Sequence, residues 1–223
     1  MELGVVPDEL VSRLAKLDTC AVSDAMDRAG LSGAALGPRP MWQCPRIAGR
    51  VITVKLKPFV EGEKSNRHLG TAAIEAASPG DVIVIDNGGR TYAGSWGGIL
   101  SVAAKAAGVA GVVADGACRD VDEARDLEFP VYARAGVPVT ARGRIVEESF
   151  QEPISVCGVA VQPGDLVIAD WTGVVFVPAG RAEEVLAIAE DIFAREAAMA
   201  ADVRAGKKPS EVMGASYERM TGR

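Results

Sequence analysis

The sequence predicts an α/β fold in a single domain. Short β-branched runs such as Val82-Ile83-Val84-Ile85 and Leu166-Val167-Ile168 are bounded by Pro-Gly-Asp turns, as buried strands are. Between them lie segments with apolar residues at helical spacing that stop at a glycine, such as the one ending at Gly108. Helical and strand patterns alternate through the first half, and residues 130–177 then read as strands and turns only. At 223 residues the chain can bury a full core without a disulfide or a metal to staple it.

In order, the pattern places helices at 8–17, after Pro7, and at 21–29, with Thr19 as N-cap and Gly30 as stop. The Gly- and Pro-rich stretch 31–45 is a loop leading into an alternating strand at 47–56. Ala73, Ile74 and Ala77 recur at helical spacing, giving a helix at 67–77 with Asn66 as candidate cap. Strand 82–85 follows Pro79-Gly80. Gly97-Gly98 then opens a helix along Ile99, Leu100, Val102, Ala103 and Ala106, ended by Gly108. Strand 111–114 closes on a tight turn at Asp115-Gly116, and Arg119-Asp120 with Glu123 make a charged helix start. Strands at 131–134, 137–146, 156–161, 166–169 and 174–177 form a β-rich core. A long helix from Pro178 to about residue 204 carries the apolar stripe Val185, Ala189, Ile192, Met199 and Val203 and stops at Gly206. The domain therefore spans 1–206, and 207–223 is a tail.

One unit occurs twice. Ser78-Pro-Gly-Asp-Val-Ile-Val-Ile-Asp86 and Gln162-Pro-Gly-Asp-Leu-Val-Ile-Ala-Asp170 share a turn, an apolar strand and a closing aspartate. Asp86 and Asp170 are read as caps of the turns that follow them rather than as site residues.

Composition excludes several function classes. A net charge of −6 leaves no basic face of the kind a phosphate backbone requires, so nucleic acid is not an expected partner. No apolar run approaches the roughly 18 residues of a membrane span. The four cysteines are far apart and form no C-x-x-C, and the N-terminus has neither a basic nor an apolar leader segment. A cytoplasmic protein with free thiols is expected. The single histidine, His68, rules out a His-rich metal centre, so a bound metal would take mainly oxygen ligands. His68 itself is read as a helix-borne surface or packing residue, and Trp96 as a pocket wall or interface residue. No G-x-S-x-G or G-x-G-x-x-G occurs, and Gly206-Lys207-Lys208-Pro209-Ser210 lacks the glycine spacing of a phosphate loop.

The stretch 97–138 concentrates the chemistry. A helix N-terminus leaves its first backbone N–H groups unpaired, so the helix start at Gly97-Gly98 offers a site for an anion. A cation at a strand end, Arg119, and an adjacent carboxylate, Asp120, suit a small carboxylic acid held with a hard metal ion. The plainer reading is that Asp120 and Glu123 enrich a first helical turn with negative charge and that Arg119 pairs with one of them.

Gly98, twenty residues, then Arg119-Asp120-x-x-Glu123 resembles the signature of the class II pyruvate aldolases. These enzymes cleave 4-hydroxy-4-methyl-2-oxoglutarate and 4-carboxy-4-hydroxy-2-oxoadipate, and they belong to the family named after the ribonuclease regulator RraA. The resemblance extends to Pro79-Gly80-Asp81, Pro163-Gly164-Asp165 and Asp170-x-x-Gly173-Val174-Val175-x-Val177-Pro178, and covers about residues 19–206.

The resemblance implies a layered β/β/α, swivelling-domain-like fold with mixed central sheets and flanking helices, assembled as a homotrimer or homohexamer. It implies a divalent metal, Mg²⁺ first with Mn²⁺ or Co²⁺ as substitutes, ligated by Asp120, with Glu123 holding metal waters. Arg119 would stabilise a pyruvate enolate at the keto oxygen, and the N–H groups of residues 97–100 would hold the carboxylate of a 2-keto acid. Oxaloacetate decarboxylation would be a side activity. Lys105, a Schiff-base alternative, is expected to snorkel to the surface instead. Glu196 interrupts the stripe of the long helix, and the resemblance has such a residue delivered to a neighbouring subunit's site; otherwise it pairs with a surface cation. Many relatives carry an acid where this chain has Gly98. A non-catalytic regulator that binds a ribonuclease is the alternative, and Glu123, which such regulators tend to lack, argues against it.

Overall fold

The computed structural model describes residues 6–62 and 67–214. Helices α1 (Asp8–Leu14) and α2 (Thr19–Arg28) come first, then the short strands β1 (Ala34–Ala35) and β2 (Arg39–Pro40) and the long β3 (Ile47–Pro58). Three helix–strand units follow: α3 (Thr71–Ala76) with β4 (Val82–Gly94), α4 (Gly98–Ala106) with β5 (Gly111–Cys118), and α5 (Val121–Asp126) with β6 (Val131–Gly136). Strands β7 (Ile145–Phe150), β8 (Ile154–Val156), β9 (Val159–Val161), β10 (Leu166–Ala169) and β11 (Val174–Val177) lead to α6 (Ala182–Arg204) and α7 (Pro209–Val212).

Strand β3 is the hub. Its first residues pair antiparallel with β10, residues 51–55 pair parallel with β4, and its far end pairs antiparallel with β7. Around it, among the described residues, a nine-stranded sheet runs β1-β11-β10-β3-β4-β5-β6-β2 with β7 as a branch. The sheet is mixed: β3, β4, β5 and β6 are parallel to one another, and the other pairings are antiparallel.

Because side chains alternate along a strand, each strand feeds two cores. Ile83 and Ile85 of β4 and Val112 of β5 pack with Leu100, Ala104 and Phe129 under α3, α4 and α5. Val82, Val84 and Val113 face the other way, meeting Val167, Phe176 and Tyr132 and the β8–β9 hairpin. Leu166, Ile168, Val175 and Val177 support a third cluster with Val22 and Met26 of α2 and Val185 and Leu186 of α6. The domain is thus the expected mixed α/β arrangement of central sheets with flanking helices, and helices cover both outer faces.

The repeated turn-and-strand unit lies on both sides of β3. Asp81 accepts the N–H of Ser78 and Asp165 that of Gln162, each at 2.8 Å, so the two Pro-Gly-Asp turns close alike. Burial pushes both carboxyls up, and the N–H groups they accept oppose it. Asp86 and Asp170 do cap their turns, accepting from Gly88 at 2.9 Å and Thr172 at 2.8 Å. Asp170 also accepts from the N–H and hydroxyl of Thr19 at 3.0 and 2.7 Å, which ties α2 to the β10–β11 turn.

Thr19 is thereby not the N-cap of α2. Asp18 takes that role, accepting from Ala21 at 2.8 Å. The first helix ends at Leu14, and the third is only Thr71–Ala76, entered through Gly70 in the left-handed region; Asn66 lies outside the described residues. The tight turn expected at Asp115-Gly116 is absent, because β5 runs on to Cys118 and Gly116 is needed for close packing on Asn87. The strand expected at 137–146 is a loop up to Ile145, broken by Pro138 and by Gly143 at positive φ. The one expected at 156–161 is the β8–β9 hairpin turning at Cys157-Gly158. The stripe of α6 is buried only as far as Ile192, and Val203 is exposed. Gly30 and Gly206 end their helices at positive φ as expected.

The clamp on Asp170 has a testable energy. Burial pushes this carboxyl up, but the bonds from Thr19 and Thr172 outweigh it and hold it below the ordinary carboxylate value. Asp170→Ala should lower the unfolding free energy by about 2–4 kcal/mol at pH 7, since bonds to a charged acceptor contribute about 1.5–3 kcal/mol each and overlap. With the folded value depressed, the stabilisation is present above the unfolded pKa of about 3.9 and is lost as pH falls through the folded one. In urea titrations the deficit of the variant should shrink below about pH 4. A deficit constant down to pH 2.5 would contradict this account.

Candidate active site

The site forms where β4 and β5 end. The two strands pair in regular parallel register up to Asp86 and Asp115, after which β4 bulges so that Arg90 lies opposite Gly116 and Gly94 opposite Ala117. Past that point the chain segments are stitched by backbone: Ser95 donates to the carbonyl of Ala117 at 2.7 Å, and Arg119 to that of Trp96 at 2.9 Å. Trp96 is buried and stacked on Phe129, with 6.3 Å between ring centroids. Its indole N–H donates to Ser101 Oγ at 2.9 Å, and that hydroxyl donates to the carbonyl of Gly97 at 3.1 Å. The start of α4 is therefore fixed against the end of β5.

Glycines make room for the charged side chains. A Cβ on Gly97 would lie 2.9 Å from Asp120 Oδ2, and one on Gly98 would lie 1.6 Å from Glu123 Oε2. Two carboxylates thus occupy the space that side chains at 97 and 98 would fill. Asp120 reaches it from a left-handed backbone, φ 57°, at the N-cap of α5, a conformation that aspartate tolerates better than most residues.

In this arrangement Asp120 Oδ2 accepts the N–H of Gly98 at 2.9 Å, so the protein's own carboxylate engages the first donor of α4. Arg119 Nε donates to both Asp120 oxygens at 3.1 and 3.2 Å, so the expected pairing of Arg119 with a neighbouring acid is present. The terminal guanidinium nitrogens of Arg119 make no hydrogen bond among the described residues. They remain available to a ligand.

These groups border a cavity of about 290 Å³. Gly97, Gly98, Ile99, Leu100, Arg119 and Asp120 all line it, with Trp96 as a wall. Glu123 stands behind Gly98. Lys105 is on the outside and donates to the carbonyl of Leu127. Glu196 is not brought to the cavity within one chain. It is half-buried on α6 in a cleft with Met199, Val203 and Met213, and burial there raises its carboxyl pKa, helped by the charges of Asp18 and Asp24. Arg195 pairs with Asp191 at 2.9 Å rather than with Glu196.

Residues that sequence reasoning missed complete the cavity. His68 is not helix-borne: it precedes α3 in a loop, with Nδ1 3.0 Å from the carbonyl of Leu69, and lines the cavity. Thr140, Ala141 and Arg142 line it from the loop that replaces the expected strand. The only signal for that loop was Pro138 with Gly143, which disfavour an unbroken strand.

A hard divalent cation suits this donor set. Asp120 offers a direct carboxylate ligand and Glu123 a neighbouring acceptor for the ion's waters, while substrate oxygens would fill remaining positions. Among the described residues no group of three or more His, Cys, Asp or Glu side chains converges, so any such ion would rely on water and substrate for most of its coordination.

The family model described as RraA-like, Aldolase/RraA, matches residues 19–176. A candidate 4-hydroxy-4-methyl-2-oxoglutarate aldolase of Halalkalibacterium halodurans is 34% identical over 202 residues, covering 88% of this chain and 91% of that one. Protein DlpA of Legionella pneumophila is 32% identical over 186 residues, 83% of this chain, and this chain spans only 30% of DlpA's length. Streptomyces coelicolor RraAS2, described as an unusual member of the RNase ES inhibitor RraA protein family, has a solved structure with a TM-score of 0.76 at 28% identity, covering 83% of this chain and 92% of that one.

The glycine at 98 gives a direct check on Glu123. In Gly98→Ala the new methyl displaces the flexible end of Glu123 and crowds Asp120 Cβ, 3.3 Å away; Gly98 is the first residue of α4, where the propensity gain is smaller than in a helix interior, so stability should change by less than about 1 kcal/mol. If a divalent cation is held by Asp120 with Glu123 on its waters, Mg²⁺ affinity measured by calorimetry should fall about tenfold, since both carboxylates are crowded. Unchanged affinity would remove Glu123 from the ion's surroundings.

Proposed function

The chain belongs to the RraA-like family, and on that premise we propose that it is a divalent-metal-dependent lyase releasing pyruvate from a 4-hydroxy-2-oxo diacid. The substrate is 4-hydroxy-4-methyl-2-oxoglutarate or 4-carboxy-4-hydroxy-2-oxoadipate. The observation that carries the reading is the meeting of Arg119, Asp120 and the N-terminus of α4 in one cavity, with Glu123 over Gly98. The likeness to a candidate aldolase across 91% of its length supports the same class.

The backbone N–H groups at the start of α4 hold the pyruvyl carboxylate. Arg119 directs its terminal nitrogens at the keto oxygen and stabilises the negative charge that grows there. Asp120 would hold a divalent cation, which would supply Lewis-acid polarisation of that oxygen. A water held by a site carboxylate takes the C4 hydroxyl proton, and the C3–C4 bond breaks. Its electron pair becomes the pyruvate enolate, C4 leaves as the carbonyl of the second keto acid, and protonation at C3 completes pyruvate. Oxaloacetate loses CO₂ through the same enolate, so its decarboxylation is a side activity. Glu196 joins this site only from a neighbouring copy, in a homotrimer or homohexamer.

A second reading is a non-catalytic regulator that binds a ribonuclease, favoured by the likeness to RraAS2 and by the net charge of −6, which suits a basic partner. Glu123, completing Arg-Asp-x-x-Glu, weighs toward the lyase.

The test is pyruvate release from racemic 4-hydroxy-4-methyl-2-oxoglutarate and, separately, from oxaloacetate by metal-stripped protein with and without Mg²⁺ or Mn²⁺. Metal-dependent release from both is expected, and Asp120→Ala should abolish both. Turnover of oxaloacetate alone would keep the enolate site and discard the substrate. Turnover of neither would favour the regulator.

A further inference from the structure

The cavity over Gly98 does not end at His68 and Arg142. A second lobe of about 210 Å³ opens beyond them, and the two share His68, Leu69, Ala141 and Arg142 as a common wall. The lobes differ in charge. The near lobe has Asp120 beside Arg119. Among the described residues the far lobe is lined by Arg142 and Arg67 and by one carboxylate, Glu147, which is engaged, accepting the N–H of Gly70 at 2.7 Å.

Arg142 is presented by a fixed backbone. The loop bearing it is tied to the ends of the strands that build the near lobe: Gly94 donates to the carbonyl of Val139 at 2.9 Å, and Val137 to that of Cys118 at 2.8 Å. Arg144 turns back onto the carbonyls of Thr140 and Arg142 at 3.4 and 3.3 Å, and so braces the loop from inside. The guanidinium of Arg142, by contrast, makes no hydrogen bond or ion pair among the described residues. An arginine on the wall between two lobes, with no free carboxylate facing it among the described residues, is placed to receive an anion.

We propose that Arg142 is the specificity-determining residue that reads a second carboxylate on the substrate, so that the cleft selects 2-oxo acids with an anionic far end over those with an apolar one. The orientation of the substrate rests on the pyruvate-lyase reading, with the 2-oxo acid group at Arg119 and the far carboxylate at Arg142. The guanidinium's planar fork matches a carboxylate in two parallel bonds, a preference that a lysine would meet only in part.

The test is calorimetric binding of two non-cleavable five-carbon probes, 2-oxoglutarate and 2-oxopentanoate, to the full chain in the presence of Mg²⁺. The first carries the far carboxylate and the second a methyl group. The wild-type protein should bind 2-oxoglutarate at least about tenfold more tightly, as expected for one charge-assisted contact. Arg142→Gln should bring the ratio to near one with an unchanged melting temperature, since the side chain is exposed, and Arg142→Lys should recover part of it. Equal binding of the probes by the wild-type protein, or a ratio unaltered in Arg142→Gln, would overturn the assignment. The readout is separate from turnover: a ratio that depends on Arg142 in a protein releasing no pyruvate would sink the lyase reading and keep the dicarboxylate site, and active enzyme with an unaltered ratio would do the reverse.

Discussion

The site depends on backbone pairing at the carboxyl ends of β4 and β5. Parallel strands end together on one side of a sheet, and the loops leaving them are the only parts of the chain free to carry polar groups there. Here the strands do not simply stop. The bulge in β4 lets residues 94–96 lie across the end of β5, where Ser95 and Arg119 exchange hydrogen bonds with the facing backbone. Every charged group of the cavity is fixed by that stitch: Arg119 and Asp120 directly, Glu123 through the short helix that Asp120 starts, and Arg142 through the loop hung on Gly94 and Cys118. A change that loosened this pairing would disturb all of them at once.

The floor of the site is made by missing atoms. Gly97 and Gly98 do not adopt backbone conformations that exclude other residues; what they contribute is space, which Asp120 and Glu123 fill. At position 98 the space is taken by a carboxylate arriving from the facing helix, with the Glu123 oxygen where a side chain at 98 would begin.

Strands bounded by strong turn residues were legible in the sequence almost to the residue, as β10 and β11 show, because hydrophobic runs and Pro-Gly-Asp turns are local signals. The near half of the site was legible for a similar reason: Gly97 to Leu100 and Arg119-Asp120 lie on short contiguous segments whose chemistry does not depend on distant contacts. What failed was set by tertiary context. Gly116 looks like a turn residue and is a packing residue, since only Asn87, far away in sequence, decides its role. Thr19 looks like a cap and is a clamp, because Asp170 claims its N–H and hydroxyl. The loop holding Arg142 reads as a strand until its backbone is seen to be spent on Gly94 and Arg144. Glu196 lies on the other helical layer, away from its own chain's cavity, which is where a residue expected to serve a neighbouring copy would be.

The bond between Thr19 and Asp170 joins residues 151 positions apart, and β1 likewise finds its partner only in β11. The apolar face of α2, with Val22, Ala25 and Met26, has its cover in β11 and α6, which are made last. During synthesis that face must wait, bare, until nearly the whole domain has left the ribosome, while the helix–strand units around β4, β5 and β6 can already assemble. Until its two ends meet, the chain carries apolar surface on α2 that only its last-made elements can cover.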